Sequence, residues 1–112
     1  MARGSKGFKM PGNIQQVMQQ AQRLQADIQK AQEKARLIEM EAASGGGMVK
    51  ACCNGEYQLV SLEISPEVVV PEEIEMLQDL IIAAVNEATK KVKLKTAELM
   101  EDAAGGMPLP KF

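Results

Sequence analysis

Between Asn13 and Ile38 the apolar positions fall at Ile14, Val17, Ala21, Leu24, Ile28, Ala31, Ala35 and Ile38, spaced alternately by three and four residues. That alternation is a heptad seam on one side of an α-helix. The positions between are filled by Gln, Lys, Arg and other good helix formers, with Asn13 placed as an N-cap. A second apolar stripe of helical period runs through Leu77, Leu80, Ile81, Ala84, Val85, Ala88, Val92 and Leu99. It predicts a helix from about Pro71 to Ala104. Pro suits the first helical position, and Glu72, Glu73 and Glu75 sit at the positive end of the dipole. Gly105-Gly106 ends the stripe.

Between the helices the period changes to two. "IEMEAAS" reads as a first strand, Ser44-Gly45-Gly46-Gly47 as a connection, and "MVKACCNGEYQLVSLEI" as a hairpin turning at Asn54-Gly55. A two-residue turn there pairs Cys53 with Glu56, Ala51 with Gln58 and Val49 with Val60. One face then carries Val49, Ala51, Cys53, Val60, Leu62 and Ile64. The other carries Met48, Lys50, Cys52, Tyr57, Leu59, Ser61 and Glu63. Adjacent strand residues point to opposite faces, so Cys52 and Cys53 diverge and cannot grip one metal ion together. Cys53 belongs to the core and Cys52 is a partly exposed thiol. Before the second helix, "SPEVVV" reads as a short turn capped by Ser65.

The expected architecture is α+β: helix, three antiparallel strands, helix, in one domain over 13–104. A basic tail (1–12) precedes it and a Gly/Pro tail (105–112) follows. At 1.5 Å per residue the helices would measure about 39 and 51 Å, whereas a compact chain of this length has a radius of gyration near 13 Å. A small sheet cannot cover such helices along their length, and an apolar seam left in water would be an oversized patch. A homodimer, with helices protruding from the sheets and packing in pairs, resolves the mismatch.

Composition narrows the chemistry. The 112 residues include no His and no Trp. The commonest general base and metal ligand is therefore missing, and with it every Ser-His or Cys-His nucleophile. Glu39/Glu41 and Glu72/Glu73/Glu75 read as solvated residues rather than catalytic pairs, and the eight Met as packing material. "SGGGMVK" lacks the Lys-Ser/Thr ending of a phosphate-binding loop and precedes a strand. No stretch approaches the ~20 apolar residues that span a bilayer. Two cysteines without a spacing pattern fit a reducing, cytoplasmic setting. The expectation is a non-enzyme with no cofactor, no metal, no small-molecule substrate and no membrane partner.

Charge adds the functional hint. Residues 1–38 hold seven Lys/Arg against two acids, a net of +5; residues 39–79 hold nine acids against Lys50, a net of −8. In 80–112, five Lys face four acids, a net of +1. Positive charge thus lies on the helices. Arg23, Lys30 and Lys34 lie on the first helix, and Lys90, Lys91 and Lys93 on the second; Arg36, Lys95 and the basic tail add to them. These six are the candidate contacts to an anionic partner, against the alternative of an ordinary solvated helix surface. Dimerisation would double the patch. With three aromatics in the chain, base stacking on single strands is disfavoured and a duplex held by its backbone preferred. A dimeric adaptor that binds proteins through the acidic sheet is the other class consistent with a net charge of −2.

In this order, "VMQQAQRLQADIQKAQ", "GGGMVKACCNG", "VSLEISPEV", "EMLQDLIIAAVNEATKKV" and "GGMPLP" resemble the YbaB/EbfC family of bacterial nucleoid-associated proteins over nearly the whole chain. The resemblance implies a tweezer-like homodimer that binds double-stranded DNA in the nucleoid and affects nucleoid organisation or gene expression. Two departures are Cys52-Cys53, where β-branched residues or Thr are usual, and Ser65-Pro66 in place of the more frequent Asp-Pro.

Overall fold

A computed structural model describes residues 13–105 of the chain. The N-terminal tail (1–12) and the remainder of the Gly/Pro tail (106–112) lie outside the described residues. The elements run α1 (Ile14–Leu37), β1 (Glu39–Ser44), β2 (Val49–Asn54), β3 (Leu59–Ile64) and α2 (Ile74–Ala103), which is the expected α-β-β-β-α order. The sheet is antiparallel, ordered β1-β2-β3. The second helix begins later than expected: Pro71–Glu73 forms one 3₁₀ turn, and α geometry starts at Ile74. Ser65 caps as expected, its hydroxyl accepting from the Glu67 N–H, whereas Asn13 makes no side-chain cap bond.

One helix covers the sheet. α2 packs on β1 and β2, running against β1, with Leu80 beside Ser44 and Lys91 beside Glu41. The interface is built from small residues: Ala42, Val49, Ala51 and Cys53 of the sheet meet Leu77, Ala84, Ala88 and Val92 of the helix. Past the sheet, α2 runs antiparallel along α1, where Leu99, Asp102 and Ala103 face Asp27, Ala31 and Lys34. Because α2 ends near Asp27, residues 14–26 of α1 continue beyond it for about 20 Å. The molecule is a rod, 83 × 24 × 18 Å, with a radius of gyration of 23.1 Å.

The seam of α1 is therefore shared out differently from the expectation that it packs wholly against a twin. Its proximal part, Ala31 and Ala35, is buried within the protomer, where α2 and the hairpin lie alongside. Its distal part, including the half-exposed Val17, has little cover among the described residues.

The hairpin turns at Asn54-Gly55, but not with two residues. The Tyr57 N–H donates to the Asn54 carbonyl and the Asn54 N–H to the Gln58 carbonyl, enclosing a three-residue loop. Tyr57 takes the left-handed position (φ 62°). Asn54 Oδ1 steadies the loop by accepting from the N–H groups of Glu56 and Gln58. The predicted pairs Cys53–Glu56, Ala51–Gln58 and Val49–Val60 are thus replaced by Cys53–Leu59, Ala51–Leu62 and Val49–Ile64. A three-residue slip reverses side-chain facing, so Leu59, expected opposite the core, joins the side of Cys53. The extra residue Val60 forms a bulge between the Cys53–Leu59 and Cys52–Ser61 pairs. It slips the register by one more and returns Leu62 and Ile64 to the helix side. A type I′ turn needs positive φ at both central residues. Gly55 does not have it; its missing side chain serves packing instead. A Cβ there would fall on the Ala35 carbonyl oxygen, and its N–H donates to the Ile38 carbonyl at 2.9 Å.

Gly55→Ala should therefore cost roughly 2–4 kcal/mol by prising the hairpin from α1. Gly46→Ala, where no atom lies within 4 Å of the added Cβ and only φ (+66°) opposes it, should cost about 1–2 kcal/mol. Urea denaturation of the two variants measures the contrast.

Candidate nucleic-acid interface

Helix period and antiparallel packing decide where the cations lie. Arg23, Lys30 and Lys34 recur at intervals of seven and four, which places them along one side of α1. Lys30 and Lys34 border the α1–α2 groove, an open cleft of about 330 Å³ that Asp27 and Asp102 also line. Lys90 and Lys93 are exposed on α2, while Ala88 and Val92 on its other side are fully buried. The basic positions thus extend along the arm rather than gathering at one point. Counting residues from the Ala31–Leu99 level, Lys90 to Arg23 covers about 25 Å, close to seven base pairs of duplex at 3.4 Å each.

These cations are free to meet an anion. Among the described residues the one ion pair joins Lys95 to Glu98 at 3.3 Å. Arg23, Lys30, Lys34, Lys90 and Lys93 have neither hydrogen-bond nor ion-pair partners there. Lys91 differs: its ammonium donates to the Glu41 carbonyl at 2.9 Å. Sequence reasoning grouped Lys91 with its neighbours because nothing local reveals a partner 50 residues away.

The sheet end is the more acidic, although Asp27, Glu33, Glu87, Glu98, Glu101 and Asp102 remain on the helices. Glu39, Glu41 and Glu63 are exposed on the sheet, Glu56 on the hairpin loop, Glu67, Glu72 and Glu73 on the turns leading into α2, and Glu75 in its first turn. The field therefore runs along the rod, negative at the sheet and positive on the arm. Tyr57, the single aromatic among the described residues, sits at the β2–β3 turn and not on the arm.

The cysteines separate as expected. Cys53 is buried, its Sγ 3.8 Å from Thr89 Oγ1. Cys52 lies on the opposite face, paired with Glu41 on one side and Ser61 on the other. Burial pushes its thiol above the ordinary value, and the carboxylates of Glu39 and Glu41 push it further. No group of three or more His, Cys, Asp or Glu among the described residues could hold a metal ion, and no helix there is long and apolar enough to cross a membrane.

Residues 10–107 match the YbaB/EbfC DNA-binding family. A nucleoid-associated protein of Thermoanaerobacter pseudethanolicus is 44% identical over 110 residues, covering 98% of this chain and 97% of the relative. A nucleoid-associated protein of Pelotomaculum thermopropionicum is 43% identical over 101 residues, 90% of this chain and 96% of the relative. Among solved structures, an uncharacterized protein of Helicobacter pylori superposes with a TM-score of 0.56 at 29% identity, over 67% of this chain and 87% of that one.

The thiolate is the reactive form of cysteine. At pH 8 iodoacetamide should therefore modify Cys52 more slowly than a free thiol, with the rate still climbing at pH values where a free thiol has levelled off. Glu41→Gln removes one of the charges that raise this thiol and should speed the reaction. Mass spectrometry of the alkylated peptide reads both effects.

Proposed function

As the chain belongs to the YbaB/EbfC DNA-binding family, we propose that it is a nucleoid-associated, non-enzymatic protein. In this reading it binds duplex DNA as a homodimer, chiefly through the phosphate backbone, and so affects nucleoid organisation or gene expression. The observation that carries the reading is the row of cations along the arm that have no partner among the described residues, while the sheet end gathers a cluster of acids. Arg23, Lys30, Lys34, Lys90 and Lys93 are the principal contacts. Lys91 contributes least, since it reaches a phosphate only by giving up the Glu41 carbonyl. Lysines aimed at a backbone supply affinity without base readout, so sequence preference is weak.

The sheet supports the dimer. α2 leaves β3 uncovered, so Leu59, Val60 and Leu62 on this edge strand remain 46, 46 and 37% exposed. An edge strand with apolar side chains and open main-chain groups is a template for pairing. A second copy joining β3 to β3 by a two-fold axis buries both sets at once. The acidic sheet end supports the adaptor reading as the alternative.

About six phosphate contacts predict a log–log salt slope of affinity near −5. Lys90→Glu with Lys93→Glu should weaken duplex binding roughly tenfold or more. Fluorescence anisotropy at several salt concentrations reads both, and a flat slope with the variant unaffected selects the adaptor. Leu62→Asp should halve the mass measured by sedimentation, while circular dichroism stays that of the folded chain.

A further inference from the structure

A three-stranded sheet has two edges, and a protein that dimerises through one must keep the other from doing the same. The direction of the main-chain groups on each edge follows from two bonds. The Gly55 N–H takes the Ile38 carbonyl, and antiparallel alternation carries that inward direction to Met40, Ala42 and Ser44. Glu39, Glu41 and Ala43 therefore aim their N–H and C=O groups away from β2. On the far side, the Ser65 N–H takes the Met48 carbonyl, so Leu62 and Ile64 aim theirs outward.

The edges are treated differently. On β3 no side chain takes an outward-facing backbone group among the described residues. On β1 the central outward carbonyl, that of Glu41, accepts from the Lys91 ammonium at 2.9 Å. The side chains beside it would otherwise welcome a strand: Met40 and Leu94 line an open cleft of about 300 Å³ next to Lys91, and Leu94 is 63% exposed. A second β1 laid antiparallel here would also set Glu39 and Glu41 against the same carboxylates of the other copy, which is unfavourable.

We propose that Lys91 is an edge guard that occupies the Glu41 carbonyl and, with Glu39 and Glu41, confines strand pairing to β3. Growth then stops at two copies instead of continuing edge to edge through β1. The occupant held off is the β1 strand of another copy of this chain. The inference rests on the β3 dimer proposed above, and it gives Lys91 an assembly role separate from the phosphate-contacting lysines.

Sedimentation velocity of the full chain across a concentration series tests it. Lys91→Met keeps the aliphatic stem and deletes the donor; its weight-average mass should rise about twofold or more over the unsubstituted protein, increasingly with concentration. Lys91→Gln, neutral and too short to make the same bond, should do likewise and serves if the Met variant is insoluble. Lys91→Arg should restore the original mass. Lys90→Met removes an equal charge one residue away and should leave the mass unchanged. Unchanged mass in Lys91→Met and Lys91→Gln overturns the proposal, as does equal association of Lys90→Met. The β3 dimer is read separately by Leu62→Asp, whose mass falls or stays irrespective of what the Lys91 variants do.

Discussion

An α-helix with its side chains is about 10 Å across, and strands in a sheet lie about 4.8 Å apart. One helix can therefore cover two strands and not three. α2 spends its apolar stripe on β1 and β2, and alanines on both sides let it lie close. The third strand stays bare on the side where a second helix would have been needed. α1 does not supply that cover: it leaves the sheet at Ile38 and extends along the end of α2. The shape, the exposed edge and the separation of the two ends all follow from that choice.

Length then separates charge. In a compact domain, the net −8 of residues 39–79 and the net +2 of residues 13–38 would lie within a Debye length of about 8 Å at physiological salt and blur into one field. Along a rod of 83 Å they do not. The two ends of the rod therefore differ in sign, the sheet end repelling a polyanion and the arm attracting it. This is how a chain with overall charge −2 is compatible with a DNA-binding family: the number that matters is local.

The two thiols show how little an unusual dipeptide means without geometry. Cys52-Cys53 looks like a redox or metal pair when read along the chain. In a strand the pair straddles the sheet, with one thiol packed near Thr89 and the other beside two carboxylates that disfavour its thiolate.

Much of this was legible in the residues. Heptad spacing in α1, the apolar stripe of α2, the alternating strands and the segregated charge are local properties. A helix or strand repeats its geometry every few residues, so these patterns require no knowledge of what lies across the gap. They determined the element order, the divergence of the cysteines and the rod-like disproportion of helices to sheet. Tertiary structure decided the rest, because the deciding contacts join distant residues. Gly55 is held against Ala35, so the hairpin needed a longer loop and a bulge at Val60. Ala31 found cover beside α2, and Ala35 beside the hairpin at Gly55, within the protomer. Lys91, identical in sequence terms to Lys90, is set apart by a carbonyl 50 residues earlier. Periodicity tells a side chain which way to face; only the folded chain decides what it meets there.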